Sequence, residues 1–196
     1  MDEKEYHDLL AGRFKVRYND GMNKSLKRQI RLRLEDFCSY VPTRSVRILD
    51  AGCHDGYALK RLKQLGYTHA EGVEYLQILV RSVHRKACKA QQGDLHNLHM
   101  FADGVFDAIF SRYVLEHCHT ASKAVQELVR ILKPGGTMYI VVSSEIDGIQ
   151  TRQGSTVFKS VEDFKMLIPS NMKTIKLETP KTFMGWYDII YVGIKE

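Results

Sequence analysis

The sequence predicts a doubly wound α/β fold, a mostly parallel sheet with helices on both faces. Three observations carry this expectation. Short, continuous apolar runs alternate with amphipathic stretches from residue 46 to 143, the pattern of strands covered on both sides. A glycine-containing turn joins the first apolar run to the amphipathic stretch after it. No internal repeat and no Ser- or Pro-rich linker divides the 196 residues, a length that suits one domain. Right-handed crossovers between parallel strands then set the winding.

The elements follow in order. Over residues 25–41, Leu26, Ile30, Leu34, Phe37 and Val41 recur at spacings of four and three and make one apolar helical face. Pro42 ends that helix, because the residue before a proline is pushed out of the helical region. Residues 46–50 read as a strand, and Ala51-Gly52-Cys53-His54-Asp55-Gly56 as a tight turn. Residues 57–65 make an amphipathic helix stopped by Gly66. A strand over 69–75, a helix over 76–85 and a short strand over 88–91 come next. Then follow a strand over 106–110, a helix over 121–132, a sharp turn at Lys133-Pro134-Gly135-Gly136 and an apolar strand over 137–142. A short helix over 161–167 and strands over 173–177 and 187–194 complete the chain. Residues 1–45 form a basic arm and helix that cap the site of the same domain, and 46–196 form the body of the fold.

Composition narrows the function. The longest apolar run, Met138 to Val142, is far too short to cross a bilayer, and no membrane association is expected. The opening Met-Asp-Glu-Lys-Glu has no apolar core of a secretory signal. Cys38, Cys53, Cys88 and Cys118 are widely spaced and form no C-x-x-C pair. That pattern suits free thiols in a reducing cytoplasm. Glu116-His117-Cys118-His119 puts four metal-binding residue types in a row, but adjacent residues rarely converge on one ion, so no metal site is expected.

The net charge of +6 is local. Residues 11–34 hold eight Lys and Arg against Asp20 alone, an excess of seven, and the rest of the chain is nearly neutral. Lys24, Lys27, Arg28 and Arg31 fall at i, i+3, i+4 and i+7 and make a basic helical stripe. It is either a solvated face or an attractor for a phosphate-rich partner.

In an open parallel sheet, ligands bind beyond the carboxyl ends of the strands. The polar residues there are Asp50, Gly52 and Gly56, then Glu74, Asp94, Ser111 to Tyr113, and Ser143 to Glu145. A side chain at Gly52 would block a ligand's close approach, and the helix after the turn offers backbone N–H groups. Glu74 lies 24 residues beyond Asp50, the offset of an acid that grips ribose hydroxyls. A nucleoside-containing cofactor fits. The third glycine of G-x-G-x-x-G is absent, and no phosphate-loop motif occurs, which disfavours NAD, FAD and nucleoside triphosphates.

These residues also carry a family resemblance. Ile48-Leu49-Asp50-Ala51-Gly52-Cys53-His54-Asp55-Gly56 resembles motif I of the class I S-adenosylmethionine-dependent methyltransferases. Glu74, Gly93-Asp94-Leu95, Phe106-Asp107-Ala108-Ile109-Phe110-Ser111 with Val114-Leu115-Glu116-His117, and 127–136 resemble the later motifs of its small-molecule, type 11 branch. The resemblance covers about residues 46–143. It implies a seven-stranded sheet of order 3-2-1-4-5-7-6 with the last strand antiparallel. It implies S-adenosylmethionine as cofactor and S-adenosylhomocysteine as product. Asp50, Gly52, Cys53 and Gly56 would shape the pocket for the methionine end, and Glu74 would accept from the ribose. Tyr75 would cover the adenine, Asp94 would take its amino group and Leu95 would line its pocket. Ser111 and Arg112 would close the floor. Two departures stand out. His54 occupies a frequent glycine position, and Tyr113 replaces the first acid of the Glu-x-x-Glu-His magnesium set found in some relatives.

A sulfonium methyl is already electrophilic, so alignment of the acceptor supplies much of the rate. A hydroxyl or ammonium acceptor also needs a base, for which His117, Glu145 and Tyr18 are the candidates. The leading expectation is methylation of an O or N atom of a small molecule. The alternative is an RNA or protein methyltransferase that holds its acceptor with the basic segment. A third is a non-catalytic partner subunit, against which the intact acids Asp50, Glu74 and Asp94 argue. The acceptor and the oligomeric state are not legible in the sequence.

Overall fold

The computed structural model describes residues 24–144, 158–182 and 187–196. Its seven strands form one sheet of order β3-β2-β1-β4-β5-β7-β6. They are β1 (Ile48–Ala51), β2 (Ala70–Glu74), β3 (Lys89–Gln92), β4 (Phe106–Arg112), β5 (Leu132–Ser144), β6 (Met172–Glu178) and β7 (Tyr187–Lys195). The pairs β1–β2, β1–β4, β2–β3 and β4–β5 are parallel, whereas β7 runs antiparallel to both β5 and β6. This is the predicted doubly wound sheet.

Side-chain alternation sends each strand's apolar residues to both faces. On one face Ile48, Ala108, Phe110, Tyr139, Val141 and Val192 pack with α1 (Lys24–Tyr40) and α2 (Tyr57–Gln64). Ile30, Leu34 and Phe37 are the buried stripe of α1, and the Phe37 ring lies 5.4 Å from that of Phe110. On the other face Leu49, Ile109, Met138, Ile140, Val142 and Tyr191 pack with α4 (Ala121–Ile131) and Phe164 of α5 (Val161–Lys165). Between β2 and β3, α3 (Gln77–Arg85) buries Val80 and Val83 against Cys53 and Leu59. A Ser160–Asp163 capping box starts α5.

One element differs from its prediction. Lys133-Pro134-Gly135-Gly136 lies inside β5 rather than ahead of it. Phe106 pairs with Leu132 and Ala108 with Thr137, so the segment loops out of an otherwise continuous strand. Gly135, with φ +74°, turns the bulge.

Two part-buried polar links hold α1 across the sheet, one at the middle of β5 and one at the end of β4. Tyr139 of β5 donates to Asp36 Oδ2 at 2.7 Å, and Arg112 at the end of β4 donates to Gln29 Oε1 at 2.8 Å. The amino-terminal half of α1 therefore lies at the carboxyl edge of the sheet. No helix among the described residues is long and apolar enough to cross a membrane.

Candidate cofactor site

The site is built on the turn after β1. Gly52 and Cys53 both donate their N–H to Val73 O of β2, at 2.9 and 3.0 Å, which folds the turn back onto the sheet. Gly52 has φ +78°, a left-handed conformation that favours glycine. A Cβ there would overlap the Val114 side chain from the loop after β4. The nearest obstacle is thus protein, and the glycine is demanded first by packing. Cys53 is buried, with its sulfur in the space left by Gly72, so it shapes the turn from beneath. His54 sits at φ +49°, which accounts for the glycine common at this position. Asp55 accepts from Tyr57 N at 3.1 Å and from Lys86 Nζ at 2.8 Å; burial pushes its carboxyl up, but the His54 and Lys86 side chains hold it well below the usual range.

Asp50 ends β1 with 3% exposure, and its Oδ2 has no hydrogen-bond partner among the described residues. Burial raises its pKa to about 8, with Glu74 and then Asp55 adding repulsion. An orphaned buried carboxylate oxygen is costly unless a donor arrives. Glu74 at the end of β2 is held from both sides, Oε2 accepting from His54 N at 2.9 Å and Oε1 from Leu76 N at 3.0 Å. Burial lifts its pKa while these N–H groups oppose the rise. The Tyr75 backbone also supports the carboxylate, whose two oxygens together can accept from about four donors and so still receive a hydroxyl.

Beyond β3, Asp94 Oδ1 accepts from His96 N at 2.9 Å and lies 2.6 Å from His96 Nδ1. Thr120 N donates to His96 Nε2 at 3.2 Å. That donor assigns the imidazole proton to Nδ1, facing Asp94. Leu95 is buried, and Tyr75 stands partly exposed at the rim.

The structure places the remaining predicted residues elsewhere around this edge. Ser111 is buried and donates to Ala51 O at 3.1 Å, tying β4 to β1. Arg112 stacks 3.8 Å from the Tyr113 ring and turns toward α1. His117 is half-buried on a 3-10 turn, Leu115–His117. In the same turn Glu116, 4% exposed, accepts from Ser143 N at 2.6 Å and Ser143 Oγ at 3.0 Å. Its Oε2 has no partner among the described residues, and burial raises its pKa to about 7. Glu145 and Tyr18 lie outside the described residues. Among the described residues no group of three or more His, Cys, Asp or Glu could hold a metal; Cys118 is buried and His119 exposed, so that run splits.

Sequence reasoning missed Asp188. It is 2% exposed at the start of β7 and accepts from Tyr113 Oη at 2.7 Å and Arg33 at 3.2 Å. The donors come from 75 and 155 positions away in sequence, so no local signal could have shown it. Tyr113 reaches it from a left-handed backbone, φ +56°.

The turn after β1 and the acids near the ends of β1, β2 and β3 lie along one edge of the sheet. Residues 49–140 match the family described as a methyltransferase domain. The chain carries a class I S-adenosylmethionine-dependent methyltransferase domain. The probable tRNA methyltransferase 9B of Homo sapiens is 38% identical over 98 residues, 48% of this chain and 21% of that protein. The malonyl-(acyl-carrier protein) O-methyltransferase of Buchnera aphidicola is 34% identical over 93 residues, 47% of this chain and 37% of that one. The chain thus spans well under half the length of these relatives. The PH0226 protein of Pyrococcus horikoshii OT3 shares the fold, with TM-score 0.73 and 17% identity over 89% of this chain and 93% of that one. S-adenosylmethionine is the cofactor of this class, and the domain's residues fit it. Asp50 Oδ2 has no donor among the described residues, a place that an ammonium would fill, and Glu74 is a fixed acceptor for a diol.

Proposed function

We propose that this methyltransferase domain transfers the S-adenosylmethionine methyl to an oxygen or nitrogen atom seated over the carboxyl ends of β4 and β5. The observation that carries the reading is the pair of buried acids at the ends of β1 and β2. Asp50 has an orphaned oxygen and Glu74 is clamped by two N–H groups. The cofactor supplies an electrophilic sulfonium methyl when bound. Asp50 takes the ammonium, Glu74 the ribose hydroxyls, and Asp94 with Leu95 and Tyr75 the adenine. Cys53, Gly56 and Ser111 hold the turn and the floor, and Arg112 braces the floor from the α1 side.

For a hydroxyl or ammonium acceptor a base completes the reaction. His117, on the 3-10 turn after β4, and Glu145 and Tyr18 are the candidates. We assign residues 1–45 to the same domain, as α1 packs on its sheet. The free cysteines Cys38, Cys53 and Cys88 support a reducing compartment, the cytoplasm.

A small molecule is the first acceptor class, supported by the type 11 motif set and the malonyl-(acyl-carrier protein) relative. Nucleic acid is the second, supported by the exposed stripe Lys24, Lys27, Arg28 and Arg31 and by the probable tRNA methyltransferase relative. Tritium transfer from labelled S-adenosylmethionine into a metabolite extract and into an RNA fraction separates them. Label in neither, from a protein that binds the cofactor, contradicts both.

A further inference from the structure

We infer that the exposed face shared by α1 and α2 docks a single nucleic-acid strand through its phosphates and delivers its bases to the cofactor site. This deepens the second reading of function and rests on it.

The charge is concentrated on these two helices. Together they hold eight Lys and Arg against Glu35 and Asp36, an excess equal to the net charge of the whole chain. Asp36 is already engaged by Tyr139 and Lys176, and Glu35 pairs weakly with Arg31 at 3.8 Å. Lys24, Lys27, Arg28 and Lys60 are all exposed. They have no acid among their described salt-bridge partners.

The position of this face matters as much as its charge. Lys27 Nζ stands 6.0 Å from the Tyr57 ring centre, and Tyr57 directly follows the turn after β1. Gln29, two residues along, meets Arg112 at the end of β4. The basic stripe therefore starts at the rim of the cofactor site and runs away from it. A phosphodiester chain along α1 would put a nucleotide over that rim. Its unpaired bases can descend into the cleft, whereas a duplex would have to flip one out. Tyr57, beside Lys27, offers a ring at the point where a base would enter.

Other polyanionic partners fit less well. The apolar stripe of α1, Ile30, Leu34 and Phe37, is buried in the core, so the helix has nothing to insert into a lipid surface. A protein interface wants aromatic or aliphatic anchors at its centre; among the described residues this face has Leu32 as its one exposed large aliphatic side chain, and the half-buried Tyr57 stands at its edge rather than its centre. Long, flexible cations suit a regular row of phosphates.

The test is anisotropy of a fluorescent 16-nucleotide oligouridylate against the full chain from 50 to 300 mM KCl. The log affinity should fall with log salt at a slope near −3, about 0.7 for each of four phosphates. Replacing Lys24, Lys27, Arg28 and Arg31 together with Gln should weaken binding at least tenfold at 100 mM KCl and flatten the slope. Replacing Lys123, Lys159, Lys165 and Lys173 with Gln removes the same charge elsewhere and should change affinity less than threefold. Equal losses in both variants, no loss in the first, or binding only to anionic vesicles overturns the inference. S-adenosylmethionine calorimetry on each variant is the companion measurement. Failed cofactor binding with intact oligonucleotide binding refutes the functional reading and leaves the docking face standing. The reverse refutes the docking face alone.

Discussion

His54 donates its backbone N–H to Glu74 Oε2 at 2.9 Å, so the turn after β1 and the acid after β2 are one unit. Leu76 N holds the other oxygen at 3.0 Å. A carboxylate can accept on both sides, but a carboxamide cannot. Glu74→Gln would aim an NH2 at one of these N–H groups and so should behave like Glu74→Ala. Both should weaken S-adenosylmethionine by about 1–3 kcal/mol, five- to 150-fold by calorimetry. Wild-type affinity in Glu74→Gln would contradict this role.

Asp50 couples cofactor binding to protons. With a pKa raised to about 8 by burial and two neighbouring acids, it is largely protonated at pH 7 without ligand. An arriving ammonium lowers that pKa and expels the proton. Affinity should therefore rise from about pH 6 toward pH 7.5, below the range in which the ligand's own ammonium loses its proton, and calorimetry there in buffers of different ionisation enthalpy should show proton release. Asp50→Asn should bind weakly with a flat profile. A wild-type profile that is itself flat would remove Asp50 from the site.

The same raised groups set how stability depends on pH. Asp50 and Glu116 hold protons in the folded protein that they lose near pH 4 when unfolded. Their stabilising contribution is complete below pH 4 and is lost as pH rises through about 7 and about 8. Glu116→Gln keeps an oxygen for both Ser143 donors and removes the buried charge. Thermal melts at pH 8 should show Glu116→Gln at least as stable as wild type. A lower Tm there would mean that the orphaned oxygen has a partner supplied in solution.

Gly52→Ala combines two penalties. The left-handed backbone costs about 1–2 kcal/mol for an L-residue, and the added methyl overlaps Val114. The Tm should fall several degrees, at about 2–4 °C per kcal/mol for a chain of this size. Adding Val114→Ala relieves the overlap and should recover part of the loss. Full recovery would show that the backbone conformation carries no strain.

Legibility followed the range of the interactions involved. The alternation of apolar strands and amphipathic helices fixes the sheet and its two faces, because burial acts along each segment. The turn glycines and the strand-end acids were readable because motif spacing reflects local geometry. Lys133-Pro134-Gly135-Gly136 misled because its turn chemistry is real, yet Leu132 ahead of it still pairs with Phe106. The Arg33–Asp188–Tyr113 cluster was invisible, as its members meet only through the tertiary fold. The second bond of Asp94 was hidden for another reason. Its partner His96 is a neighbour, but nothing in the sequence says that Thr120 N will set the tautomer.

That cluster makes its own prediction. Tyr113→Phe removes the 2.7 Å donor to a buried carboxylate and should cost about 1–3 kcal/mol. Burial raises the Asp188 pKa, while Tyr113, Arg33 and Arg112 restrain it. The loss should therefore grow as pH rises and the carboxyl ionises. Hydrogen exchange should show α1 losing protection before the central strands. An unchanged melting curve above neutral pH would show that Arg33 alone satisfies Asp188.

The central claim is that Asp50, Glu74 and Asp94 form a site for S-adenosylmethionine. Calorimetry of the wild-type chain with S-adenosylmethionine, S-adenosylhomocysteine and NAD tests it most directly. Micromolar binding of the first two, with none of NAD, is the predicted result. Binding of NAD, or binding of neither sulfur ligand, would contradict it.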